Sequence, residues 1–253
     1  MYPILFSIGG FPIHTYGVLV ALGFAVGLAT AVSLGRREGI DADTIGDLAL
    51  VALLSGLVGG RLLYVIVEWD QFRDHLASIV LRRDGFVFFG GLLLAAPAVL
   101  FTIRRKNLPL GKTADVFAPA IALGHSIGRI GCFSQGCCFG RPFKFGIRFP
   151  TDAPASLAYG HVPVHPTQLY ESISLLILFF FLLRYHGKRR FEGETFLVYA
   201  ASYSVIRFII EFFRGDDRGF FLGPISISQI ISSLLFAAAI VLIFRCRKRA
   251  SSS

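Results

Sequence analysis

Arg207 and Glu211 stand four residues apart in a stretch whose neighbours are Val205, Ile206, Phe208, Ile209, Ile210, Phe212 and Phe213. With Tyr203 and Arg214 they follow at i, i+4, i+8 and i+11, so on a helix the four share one face. A polar stripe on so apolar a helix belongs toward a bundle interior. Two readings stay open: an ion pair that only joins helices, or a guanidinium held ready for an anionic headgroup. Arginine suits the second role because its rigid donor fork matches phosphate, and a carboxylate beside it keeps the empty site from being an unpaired buried charge.

Arg129 opens a second concentration of signal, Gly128-Arg-Ile-Gly-Cys-Phe-Ser-Gln-Gly-Cys-Cys-Phe-Gly-Arg-Pro142. Its glycines, Gly131 and Gly140 among them, let a backbone turn tightly and approach a ligand closely. Arg61 is a third arginine inside an apolar run, where snorkelling is the plain alternative. The segment His165-Pro-Thr-Gln-Leu-Tyr-Glu171 places a histidine at the entrance of a helix started by Pro166, with Gln168 and Glu171 in its first turns. Capping and interface roles account for much of that segment. Cys132, Cys137 and Cys138 form a Cys-x4-Cys-Cys pattern, with His125 and His165 available. That is not a standard zinc spacing, and adjacent cysteines are awkward around one tetrahedral ion, so small packing residues or a disulfide are the default and no metal is expected.

These residues need a membrane to explain them. Of 253 residues 54% are hydrophobic and only 16% charged, with 26 Phe; a soluble domain carries about 25% charged residues. The apolar residues fall into blocks of roughly 20, the length that crosses a hydrocarbon core of about 30 Å. Seven spans are predicted, over about 14–34, 47–67, 86–103, 114–133, 166–183, 195–213 and 225–244. The expected fold is thus an all-α polytopic integral membrane protein, one transmembrane domain over 1–253. An arginine at the bilayer centre costs roughly 2.5–3.5 kcal/mol, so Arg129 and Arg207 need partners or a wet cavity.

Loop charge gives the orientation. Arg36, Arg37, Arg104, Arg105, Lys106, Lys112, Arg184, Lys188, Arg189, Arg190, Arg245, Arg247, Lys248 and Arg249 lie on one side. Arg73, Arg82, Arg83, Arg141, Lys144, Arg148, Arg214 and Arg218 lie on the other. The richer side is cytoplasmic, so the C-terminus is expected inside and the N-terminus outside. Topology accounts for most of the formal charge of +9, and nucleic acid is not needed as a partner. The first apolar run ends at Arg36-Arg37 and reads as a retained span, not a cleaved signal. The connection 134–164, punctuated by prolines, forms a small outer-side loop region in which Phe143–Phe149 alternates like a short strand. The Ser251–Ser253 tail is expected to be disordered.

Six segments in order resemble the prolipoprotein diacylglyceryl transferase family: His14-Thr-Tyr-Gly17, Gly59-Gly-Arg-Leu-Leu-Tyr64, Phe88-Phe-Gly-Gly-Leu92, Gly128–Pro142, His165–Glu171 and Tyr203–Arg214. The resemblance covers almost the whole chain. It implies transfer of the diacylglyceryl group of phosphatidylglycerol to the lipobox cysteine thiol of a bacterial prolipoprotein, with release of glycerol phosphate. It implies a multi-pass protein of the bacterial inner membrane, working among membrane lipids, with the active site toward the outer leaflet. No cofactor, metal or nucleotide is implied. Arg129 and Arg207 match the headgroup-binding arginines, with Tyr16, Gly131, Gly140 and Arg61 beside them. Arg207, Glu211, Tyr203 and His165 are the expected catalytic group, Glu211 orienting Arg207. Three positions depart from the family's commonest pattern: Phe89 where many members carry His, Cys132 for Asn and Cys137 for Glu. Phenylalanine cannot accept a proton, which leaves open a base elsewhere, a related transferase with another acceptor, or a lipid-binding or lipid-moving protein on the same scaffold.

Overall fold

The computed structural model describes residues 4–73, 85–216, 220–222 and 225–250. Arg82, Arg83 and Arg218, counted among the loop charges, and the Ser251–Ser253 tail lie outside the described residues. Among the described residues, helices of 18 residues or more overlap the predicted blocks: α1 (Thr15–Arg37), α2 (Ala42–Val67), α4 (Phe88–Arg105), α5 (Leu110–Gln135), α7 (Thr167–His186), α8 (Glu194–Glu211) and α9 (Ile227–Ala250). The short helices α3 (Trp69–Phe72) and α6 (Pro154–Tyr159) lie in connections. Five of the long helices, α1, α2, α5, α7 and α9, are long and apolar enough to cross a membrane. Of the other two, α8 carries Glu194, Arg207 and Glu211 within 18 residues, and α4 is equally short and ends in Arg104–Arg105.

Strands were expected only in the long connection. There β3 (Pro142–Ile147) forms within the alternating stretch and bridges Val164. A hairpin of β1 (Ile4–Ile8) and β2 (Phe11–His14), and a second of β4 (Phe220–Leu222) and β5 (Ile225–Ser226), add small β elements to the helical fold.

The chain groups into two compact units. One is Val32–Thr113. In it α2 begins at Asp41, whose carboxylate accepts from Thr44 N at 2.8 Å; hydrogen bonding to Thr44 holds that exposed carboxyl below its usual range. Packing of α2 on α4 is set by glycines. A Cβ on Gly91 would come within 2.9 Å of the Gly56 carbonyl oxygen, and Gly59 and Gly90 meet backbone to backbone. Without a hydrophobic effect between helices in lipid, such close approach supplies the van der Waals contact that holds them.

The other unit is Met1–Ala31 with Ala114–Ser253. Here α1 approaches α5 through Gly23 and Gly124, where a Cβ on Gly23 would lie 2.7 Å from the Gly124 carbonyl oxygen. Helices α5 and α7 are tied by Ser126 and Ser172. Each buried hydroxyl donates to the other residue's carbonyl, at 2.8 and 2.9 Å. Helix α8 packs on α7 and α9, and Asp115 of α5 caps its start by accepting from Gly193 N at 2.8 Å and Phe196 N at 2.9 Å. The connection after α5 has a core of its own, with Phe139, Phe149, Ala153, Ala155 and Val164 buried together.

Candidate active site

Arg129 of α5 and Arg207 of α8 lie in the same unit, and each has found a carboxylate. Arg129 Nη2 donates to Glu171 Oε1 of α7 at 3.0 Å. The same oxygen accepts from Tyr203 OH of α8 at 3.3 Å and lies 3.7 Å from His125 Nε2. Glu171 is 1% exposed, so this carboxylate joins three helices deep in the unit. A buried ion this costly persists only when paired, and Arg129 supplies the pair.

Arg207 is buried one turn from Glu211, with Nη2 2.5 Å from Oε2 in an ion pair out of hydrogen-bond alignment. The same Nη2 donates to Ser228 Oγ of α9 at 3.0 Å. Its other terminal nitrogen, Nη1, has no hydrogen-bond partner among the described residues, and neither have Arg129 Nε, Gln168 Oε1 and Glu171 Oε2. Buried polar atoms are ordinarily satisfied, and each left open carries a desolvation penalty of about 1–3 kcal/mol. Two guanidiniums with donors to spare match the oxygen-rich surface of a phosphate. Tyr203 shares Glu171 Oε1 with Arg129 and stands one turn before Arg207 on α8, which places the two cations around one region.

The other residues chosen from sequence have different surroundings. Tyr16, 43% exposed, packs on Gly131, which lies between Arg129 and Cys132 in the chain. Gly140 donates its N–H to His165 O at 2.9 Å, and the space for a Cβ is filled by His165 and the Phe213 carbonyl. His165 stacks on Phe143 with ring centroids 4.0 Å apart, meets Phe213 edge-on, and holds Nδ1 3.3 Å from Tyr170 OH. Burial lowers its pKa below the ordinary histidine value. Arg61 belongs to the Val32–Thr113 unit, where Nη1 donates to Gly85 O at 3.2 Å and the guanidinium lies over Tyr64 and Phe72. Phe89, in that unit too, is 46% exposed.

The prolipoprotein diacylglyceryl transferase profile matches residues 3–245. The chain belongs to the prolipoprotein diacylglyceryl transferase family. It is 38% identical over 234 residues to a phosphatidylglycerol–prolipoprotein diacylglyceryl transferase of Clostridium tetani, covering 92% of both chains. A relative of the same name in Finegoldia magna is 34% identical over 97% of this chain and 96% of its own. Another, in Dehalococcoides mccartyi, is 36% identical over 98% and 95%.

Glu171 is the residue that sequence reasoning undervalued. It read as a capping or interface residue of the first turns of α7, yet it is the hub that binds Arg129 and Tyr203. An opposite charge in a second apolar span was the available signal. Ser228 had none, since only the approach of α9 to α8 brings it to Arg207. Gln168 Nε2 donates to Cys137 O at 2.6 Å and Thr167 Oγ1 to Cys138 O at 2.7 Å, so α7 also holds the end of the Gly-rich segment. The three cysteines of that segment are in no disulfide, and their Sγ atoms lie within 4.8 Å of one another.

Proposed function

We propose that the protein transfers the diacylglyceryl group of phosphatidylglycerol to the lipobox cysteine of bacterial prolipoproteins, and that Arg129 and Arg207 hold the phosphate being displaced. The observation carrying this is the pair of buried guanidiniums with open donors, Nε of Arg129 and Nη1 of Arg207. In the reaction the acceptor sulfur attacks the glyceryl carbon, the carbon–oxygen bond breaks, and the electron pair leaves with glycerol phosphate. Negative charge grows on the departing phosphate, where fixed cations stabilise it most in a site shielded from water. Glu211 and Ser228 aim Arg207, and Glu171 aims Arg129 and Tyr203. Tyr16 and Gly131 border the headgroup side. His165, Gly140 and Arg61 stand in the second rank: the first two shape the loop over the site, and Arg61 steadies the Val32–Thr113 unit.

The setting follows from the same reading. All seven long helices span the bacterial inner membrane as one domain, with the N-terminus outside, the C-terminus cytoplasmic and the site open to the outer leaflet. The basic residues at the ends of α1, α4, α7 and α9 support that orientation. Glu194 beside Arg247, and Asp115 beside Arg189 at 3.4 Å, pair the buried acids of that end.

The test is purified protein with phosphatidylglycerol vesicles and a lipobox peptide, read by mass spectrometry against a Cys→Ser peptide. A diacylglyceryl adduct on the cysteine peptide alone is expected. No adduct from folded protein that still binds phosphatidylglycerol would favour a lipid-binding or lipid-moving scaffold.

A further inference from the structure

We propose that Cys132, Cys137 and Cys138 form a three-thiolate site for one zinc-class divalent cation, whose fourth position takes the acceptor thiol. This rests on the transferase reading above.

Adjacent cysteines ordinarily point apart, because successive side chains of an extended chain lie on opposite sides. Here Gly136 has φ +73° and Cys138, a non-glycine residue, has φ +60°. That left-handed turn folds the chain back, so Cys137 and Cys138 converge on Cys132 at the end of α5. All three sulfurs lie within 4.8 Å of one another. Sulfurs bound to one tetrahedral zinc at about 2.3 Å sit roughly 3.8 Å apart, so closure needs a shift of about 1 Å. A left-handed non-glycine residue costs on the order of 1–3 kcal/mol and persists where the surroundings demand it. Hydrogen bonds from Gln168 and Thr167 to the carbonyls of Cys137 and Cys138 fix it from α7.

The neighbourhood suits the charge. Three thiols that each lose a proton to a divalent ion leave a complex of charge −1. Arg129 stands one helical turn before Cys132 on α5, and Arg214, itself paired with Asp216 at 2.6 Å, lies beside Cys138. All three cysteines are half-buried, so an ion can reach them.

Three protein ligands and one open position are the pattern of a zinc site that acts on a ligand. The reaction needs a thiolate, while Glu171 and Glu211 are each engaged by a guanidinium. A thiol that coordinates the ion gives up its proton to water, which balances the extra negative charge that the departing glycerol phosphate carries away. Its sulfur keeps an electron pair that attacks the glyceryl carbon as the phosphate ester bond breaks. The product thioether carries no charge and is a far weaker ligand, so it leaves. Tyr16 packs on Gly131, between Arg129 and Cys132, and so joins this position to the headgroup side.

The experiment loads the full-length protein, reduced and chelator-treated in detergent, with zinc or cobalt(II). Wild type is expected to retain about one equivalent of zinc, and with cobalt to show thiolate charge-transfer and tetrahedral absorption bands. Cys132→Ser and Cys137→Ser should lose both while still binding phosphatidylglycerol, which keeps a folding failure apart. The cobalt bands should shift with a lipobox peptide and not with its Cys→Ser form. Transfer should fall on the order of 100-fold without metal and return with zinc. Wild type that retains no metal overturns the site, and unchanged bands with the cysteine peptide overturn the fourth ligand. Full-rate transfer by metal-free protein overturns the role while leaving the transferase reading intact. A zinc-loaded protein that answers to the peptide thiol yet forms no adduct upholds the site and overturns the transferase reading.

Discussion

Arg129 and Glu171 sit on different helices, α5 and α7, and meet at 3.0 Å with the carboxylate almost wholly out of solvent. Removing one partner strands the other. Glu171→Ala is therefore expected to cost about 3–5 kcal/mol of stability. Arg129→Met with Glu171→Leu, which removes both charges at similar volume, should recover most of that loss in the detergent melting temperature. The double variant should still transfer no lipid. Wild-type turnover in it would show that the pair only joins helices.

Arg207→Ala should abolish measurable turnover, and Arg207→Lys should reduce kcat by roughly 10²–10³-fold, because the ammonium loses the fork that spans two phosphate oxygens. Arg207→Ala leaves the Glu211 carboxylate without its partner, so Arg207→Ala with Glu211→Gln, which removes both charges, is the folded control and should be equally inactive. Adduct formation by mass spectrometry decides the point.

His165 has a folded-state pKa lowered by burial. The unfolded chain then binds the proton more readily, so stability is present in full above the ordinary histidine value of about 6.5 and is lost as pH falls below it. The melting temperature of wild type should drop on going from pH 7.5 to 5.5, and His165→Gln should drop less. Equal drops would remove His165 from the acid limb.

Gly140→Ala should lower the yield of folded protein, because its Cβ would meet His165 and the Phe213 carbonyl. A cost of about 1–3 kcal/mol follows from overpacking. Gly128→Ala is the control: nothing lies within 4 Å of the added carbon there, and its melting temperature should stay within a degree or two of wild type.

Most of the helical fold was legible because lipid makes apolar length a strong signal; the block at 114–133 lies inside α5, and the block at 195–213 overlaps α8 but for its last two residues. Charge in such blocks was equally readable, which is how Arg129, Arg207 and Glu211 stood out. What stayed hidden depends on tertiary approach. Ser228 touches Arg207 only because α9 returns to α8, and no periodicity reports that. The meeting of the cysteines turns on left-handed backbone at Gly136 and Cys138, a conformation that glycine advertises and cysteine does not. The N-terminal hairpin is short and irregular in register, too brief for alternation to announce.

Asp115 caps α8 from another helix, and so it sets more than where that helix begins. A helix advances about 100° per residue, so moving the first turn by one residue would swing every later side chain through that angle. Arg207 lies roughly 20 Å along the axis from the cap. Asp115 thus acts as an indexing pin: it fixes the rotational phase of a rod whose far end carries Arg207. Variation at this position is expected to misdirect the arginine while leaving its immediate surroundings unaltered in sequence.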